Sequence, residues 1–291
     1  MFLYQKGTNP LDTVHTVLRR QLDQEGYVVV SGVVPEENLS AVVKDICRHT
    51  GADLHDPTTW YKPSIINTNG MVEMYHYQSM WDNRQYPAVH QVFAEIFGTE
   101  KLWVNIDRTN FKPPVDERYP EFDNRGFIHW DVDMRKYPTI PFGVQGVLAL
   151  TDTDEDMGGF QCVPELYKEL DTWVPRQQEM QQLSRTPDLS GYTITKVPLR
   201  AGDMVIWRNL LPHGNGANRS SRLRLAQYIS MSLAREYDVQ EVQTRINCWQ
   251  KNTPPPNPFL PGDPRRIEER SEQSAHLTAL GRKLLGIERW R

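Results

Sequence analysis

Apolar positions recur at helical spacing toward both ends of the chain and in short alternating or continuous runs through its middle. Leu11, Val14, Leu18 and Leu22 lie three or four apart. Asn9 can cap that helix, Pro10 suits its first turn, and Gly26 stops it. Tyr27-Val28-Val29-Val30 then reads as a buried strand. Pro35-Glu36-Glu37 opens a second helix, which carries Leu39, Val42, Val43 and Ile46 and closes near Gly51. A shorter helix is predicted from Pro87 to Phe97, ended by Gly98. Strands are predicted at 102–111, 126–131, 143–150, 159–163, 192–197, 204–207 and 222–233, with turns of Gly, Pro and Asp between them. Many short strands in succession point to a sandwich or barrel. A helical insert at 171–183 interrupts the series, and its Gln and Glu content predicts solvation on most sides. Asn252 to Pro264 holds six prolines in thirteen positions, which excludes regular structure and reads as an extended connector. A last helix, 266–285, carries Leu277, Leu280 and Leu284 and is predicted to dock on the core.

Residues 52–86 break the pattern, with Trp60, Tyr61, Tyr75, Tyr77, Trp81 and Tyr86 set among Asn, Pro and Gly. They read as loop packing over the core, as a substrate-facing wall, or as both. The layout predicts one domain in three parts: 1–98 with the first helices and the aromatic segment, 99–235 with the β core, and 236–291 with the connector and last helix. A net charge of -4 gives no reason to expect a nucleic-acid or anionic-membrane partner. Cys47, Cys162 and Cys248 are far apart, so neither a disulfide framework nor a thiolate metal site is implied. With no apolar leader near Met1 and no apolar run of about 20 residues, the expected setting is cytoplasmic.

The candidate chemistry starts at His129-Trp130-Asp131. In a strand, residues two apart point to one face, so His129 and Asp131 can act together. His213, after the turn-then-strand pattern Gly202 to Trp207, can complete a 2-His-1-carboxylate facial triad. That donor set suits Fe(II) and leaves positions open for a cosubstrate and O2. Asp133 shares the face of Asp131 and is a spare carboxylate. A 2-oxo acid chelating such a metal needs an anchor for its distal carboxylate, which arginine supplies as a planar fork. Arg222 and Arg224 both qualify, and strand periodicity does not separate them. Lys112, Arg125 and Arg135 flank the metal strand; any of them can pair with an anionic substrate, with solvation expected for two of the three, and Asp203 is read as a turn residue.

These motifs together resemble the phytanoyl-CoA dioxygenase family of Fe(II)/2-oxoglutarate oxygenases over roughly residues 20–235. The resemblance rests on Glu25-Gly26-Tyr27-Val28-Val29-Val30, Lys112-Pro113-Pro114, His129-Trp130-Asp131, Ala149-Leu150-Thr151-Asp152 and Gly158-Gly159 leading to Val163-Pro164. It ends with His213-Gly214-Asn215-Gly216-Ala217-Asn218 and Arg224. It implies a mainly β protein with flanking helices around a double-stranded β-helix (jelly-roll, cupin-like) core. It implies Fe(II) held by His129, Asp131 and His213, and 2-oxoglutarate held by Arg224 with Asn215, which stands where many members have serine. It implies a hydroxylase-type oxidation of an unactivated C–H, with O2 consumed and succinate and CO2 released. A carboxylate at Asp131 argues for oxygenation over halogenation. Glu165-Leu166-Tyr167-Lys168 replaces the family's usual Gly-Ser/Thr-His-Lys, and Trp130 replaces its Gln; these departures border the pocket and leave the substrate open. Trp130, Tyr75, His76 and Trp81 are the candidate substrate contacts. With no basic cluster for CoA phosphates, a small non-CoA metabolite is expected. The rival readings are a metal-dependent isomerase or hydrolase without 2-oxoglutarate, and a non-catalytic metal-binding sensor, on the same barrel.

Overall fold

A computed structural model describes residues 16–62, 64–67, 69–123, 126–179 and 183–291. Its helices are α1 Val17–Glu25, α2 Glu36–Thr50, α3 Gln78–Arg84, α4 Pro87–Phe97, α5 Pro164–Lys168, α6 Leu170–Glu179, α7 Val239–Lys251 and α8 Ala279–Leu285. Its strands are β1 Tyr27–Val30, β2 Met71–Val72, β3 Leu102–Val104, β4 Thr109–Lys112, β5 Val144–Ala149 and β6 Phe160–Cys162. They continue with β7 Thr195–Lys196, β8 Met204–Arg208, β9 His213–Asn215, β10 Arg224–Tyr228 and β11 Met231–Leu233. Among the described residues no helix is long and apolar enough to cross a membrane.

Antiparallel pairing orders the large sheet β1-β8-β5-β10-β4-β2, and a smaller sheet runs β7-β6-β9. Side-chain alternation splits the core in two. Leu148, Met204, Ile206 and Leu225 pack toward the helices with Leu22, Val42, Phe93 and Leu284. Their strand neighbours Val147, Ala149, Val205, Trp207 and Ala226 face the smaller sheet, where Phe160 and Cys162 meet them. Both faces of the large sheet are therefore buried, which is why its central strands read as continuous apolar runs rather than as alternation. The two sheets and their flanking helices form a jelly-roll core, and His129 and His213 lie where the smaller sheet closes it.

Several predicted elements change. The first helix is described from Val17, with the Thr16 side chain accepting from the Arg19 N–H at 3.2 Å; the predicted Asn9-Pro10 start lies outside the described residues. The runs 102–111 and 222–233 each become two strands. Both chains leave the large sheet together at a corner, where Asn105 N–H donates to Ser230 O at 2.8 Å, and β3 then pairs with β11. The run 126–131 is not a regular strand: its ladder is one antiparallel bridge, His129 to His213. The insert is not solvated on most sides, because Leu170, Trp173 and Val174 are buried against Ile128, Trp130 and Val163. Its apolar residues sit three and four apart, a face hidden by the count of Gln and Glu. The last helix is only α8, capped by Thr278, whose hydroxyl accepts from Gly281 N–H at 3.0 Å. The preceding residues run irregularly, tethered by the Glu268 carboxylate, which accepts the Tyr75 and His76 N–H groups at 2.6 and 2.5 Å. The sequence reading missed α7, although Asp238 ahead of Glu241 is a capping signal, and Asp238 does accept the Glu241 N–H at 3.0 Å.

Candidate metal centre

His129 and His213 face each other across two close-set backbones. His129 N–H donates to His213 O at 2.9 Å, and His213 N–H returns the bond to His129 O at 3.1 Å. That approach needs glycine on both sides. A Cβ on Gly214 would lie 2.2 Å from the Phe127 carbonyl, and one on Gly126 would lie 1.7 Å from the Asn215 carbonyl. Alternation then turns His129 and Asp131 to one side and Ile128 and Trp130 to the other. The two rings stand 5.0 Å apart between centroids, and Phe160 and Trp207 pack against the His213 ring at 6.1 and 5.0 Å.

The ligand atoms of His129, Asp131 and His213 all lie within 4.8 Å of one another. His213 Nδ1 is 2.9 Å from Leu211 O, an acceptor only, so Nδ1 carries the hydrogen and donates it. The contact from His129 Nδ1 to Phe127 O is longer, at 3.4 Å. Both rings therefore aim Nε2 at the carboxylate: His129 Nε2 is 3.3 Å from Asp131 Oδ1, and His213 Nε2 is 3.3 Å from Oδ2. A second hydrogen bond that fixes the ring and frees Nε2 is the usual setting of a metal-bound histidine. The carboxylate is gripped from outside as well. Gln145 Nε2 donates to Oδ2 at 2.7 Å, and Arg185 Nη2 donates to Oδ1 at 3.0 Å. Burial pushes the Asp131 carboxyl upward, but the His129 and His213 rings that face it, with the amide of Gln145, outweigh burial and hold it well below the usual carboxylate range. Asp133 is not a spare ligand: its carboxylate caps the turn at Met134–Lys136 and pairs with Arg135 Nε at 2.8 Å.

A second cluster lies in the interior. Arg224 and Lys112 are paired residues of β10 and β4, and each is only 2% exposed. Among the described residues neither forms an ion pair with a carboxylate. Arg224 Nη1 donates to Asn110 Oδ1 at 3.0 Å, and the hydroxyl of Tyr228, on the same strand, accepts from Asn215 Nδ2 at 3.1 Å. Lys112 Nζ donates to Gly216 O. Burial, with the Arg224 charge beside it, pulls the Lys112 ammonium down to about 7. Arg222, the other candidate, is exposed and paired with Asp154. Two buried cations without an acid form a ready site for an anion. The sequence leaves open which of Lys112, Arg125 and Arg135 meets an anion, and the place of Lys112 opposite Arg224 is visible only from the register.

The substrate candidates fare differently. Trp130 is fully buried behind the ligands, its indole N–H donating to Leu210 O at 2.8 Å and its ring 5.6 Å from that of Trp173. It packs the insert to the metal strand and presents no surface to a pocket. Tyr75, His76 and Trp81 are buried in a polar network with the C-terminal segment. Tyr75 bonds Glu73, His76 Nε2 is 2.9 Å from Thr253 O, and Trp81 Nε1 donates to His76 Nδ1 at 3.3 Å. The structure does not bring these three to the triad. Burial and the Arg84 charge hold the His76 imidazole down at about 3, so it stays neutral. Phe127, missed in the sequence, is 60% exposed and tilted over the His129 ring at 4.6 Å.

The sequence model of the phytanoyl-CoA dioxygenase family matches residues 22–226, a span that contains the triad and Arg224. The chain belongs to the phytanoyl-CoA dioxygenase family. A protein of Dictyostelium discoideum that carries the same family name is 22% identical over 258 residues, 72% of this chain and 73% of that protein. The Ava biosynthesis cluster protein O of Aspergillus versicolor is 22% identical over 271 residues, 84% of this chain and 85% of that one. Among solved structures, GlcNAc-inducible gene 2 from Candida albicans aligns with a TM-score of 0.67 at 12% identity, covering 94% of this chain and 76% of that one. The epimerase SnoN, solved with Fe3+, α-ketoglutarate and nogalamycin RO, aligns with a TM-score of 0.52 at 16% identity, covering 90% and 94%. At these identities the structural likeness shows the fold alone.

Proposed function

We propose that this member of the phytanoyl-CoA dioxygenase family is an Fe(II)- and 2-oxoglutarate-dependent dioxygenase that hydroxylates an unactivated C–H of a small metabolite. The observation that carries the reading is the pairing of a three-ligand face with two buried, acid-free cations on the neighbouring strands. When bound, Fe(II) and 2-oxoglutarate supply the oxidising power drawn from O2, with succinate and CO2 as products. The chain does the rest. His129, Asp131 and His213 would hold the metal as three protein ligands, a set that suits Fe(II) chemistry with a cosubstrate. Arg224 would hold the distal carboxylate of 2-oxoglutarate, and Lys112 would add a second positive charge. Asn110 holds one end of the guanidinium. Val147, Phe160, Val205 and Trp207 keep water from the interior. Phe127 offers an exposed aromatic surface beside a ligand, which suits a partly apolar substrate.

Purified protein with Fe(II), O2 and 2-oxoglutarate is expected to release succinate, faster with substrate present. A product heavier by one oxygen marks hydroxylation, and an unchanged mass marks epimerisation or another outcome. Absence of any succinate would overturn the reading. The buried lysine adds a pH signature. Its ammonium is charged below about 7 and neutral above it, so the anion loses a partner as pH rises. The dissociation constant for 2-oxoglutarate, measured anaerobically between pH 7 and 8.5, is expected to rise by up to about tenfold per unit until the lysine of the complex is deprotonated. Lys112→Met is expected to bind more weakly and to flatten that dependence.

A further inference from the structure

The segment that carries His129 and Asp131 is clasped by a residue just beyond the insert that the ligand set does not include. Arg185 lies between α6 and β7, and three hydrogen bonds tie it to Trp130 and Asp131. Trp130 N–H donates to Arg185 O at 3.0 Å, Arg185 Nε donates to Trp130 O at 2.8 Å, and Arg185 Nη2 donates to Asp131 Oδ1 at 3.0 Å. Main chain and side chain thus grip two successive residues, the second of which is the carboxylate of the triad. Gln145, from β5, holds Oδ2 on the other side at 2.7 Å. The carboxylate plane is therefore pinned at both oxygens by groups from unrelated parts of the fold. The Arg185 guanidinium also lies 5.7 Å from the ring of Phe259, in the proline-rich connector.

We propose that Arg185 is a positioning residue for the metal, orienting Asp131 so that the site is preformed before the ion arrives. The proposal rests on the metal site described above. An ionised carboxylate with free rotation must be ordered by the metal itself. One held by a single guanidinium N–H at one oxygen and an amide N–H at the other is ordered beforehand, so the ion binds without that cost. The insert consequently has a role besides covering the core: its docking through Trp173 and Val174 sets where Arg185 stands.

The test uses full-length protein and Co(II) alone, followed by the visible bands of the bound ion and by equilibrium dialysis. Arg185→Ala is expected to weaken Co(II) binding by about 10–100-fold, as loss of an outer partner of a ligand commonly does. Arg185→Lys, which keeps one donor, is expected to recover part of that loss. The unfolding temperature of the metal-free protein is expected to change little, because the guanidinium is about half exposed, at 54%. Binding by Arg185→Ala within about threefold of the parent would overturn the proposal, and so would a loss that merely tracks unfolding. If the parent protein itself binds no Co(II), the metal site falls and with it the proposed function. If the parent binds and Arg185→Ala binds equally, only the positioning role falls.

Discussion

His213→Ala is expected to abolish stoichiometric iron binding. His213 is one of three ligands, and the backbone bonds it exchanges with His129 survive the substitution, so the strand pair stays in place. What disappears is Nε2, 3.3 Å from Asp131 Oδ2, and the ring that packs on Trp207. Losing a ligand outright costs more than the roughly 10–100-fold that losing an outer partner costs. Equilibrium dialysis with Fe(II) under argon should show no bound metal at equimolar protein. Asp131→Ala is expected to behave alike, since Asp133 is committed to Arg135 and to its own turn and does not take over. Undiminished binding by His213→Ala would mean that the triad is not the metal site.

The second large effect belongs to Arg224. Arg224→Gln should leave metal affinity near that of the parent and weaken 2-oxoglutarate binding severely. Truncating one partner of a buried, hydrogen-bonded charge pair costs about 2–5 kcal/mol, or roughly 30-fold to several thousandfold in the dissociation constant. Arg222→Gln is the matched control, because that side chain is exposed and paired with Asp154, and a surface pair is worth about 0–1 kcal/mol. Isothermal titration with 2-oxoglutarate against the metal-loaded proteins separates the two. If Arg222→Gln proves the damaging change, the anchor is misassigned and the interior cation pair has another role.

Both expectations began in the sequence, and the places where it ran short have definite causes. His129 and Asp131 were legible because alternation is a local rule. His213 was legible because a turn-and-strand pattern precedes it. Arg222 and Arg224 were inseparable because they differ only in where β10 begins, which is fixed by its pairing with β4 and β5. Lys112 escaped for the same reason: its burial depends on standing opposite Arg224. Gln145 and Arg185 meet Asp131 through tertiary contacts that no spacing encodes. Trp130 and the aromatic segment misled because large rings fill cores as readily as they line pockets. Trp130 proved to be the contact between the insert and the metal strand.

Anaerobic titration of the metal-free protein with Fe(II) and then 2-oxoglutarate tests the central claim most directly. The account predicts a weak visible charge-transfer band that saturates at one 2-oxoglutarate per iron, vanishes in His213→Ala, and demands far more 2-oxoglutarate in Arg224→Gln. Iron binding that leaves the visible region unchanged on addition of 2-oxoglutarate would contradict it.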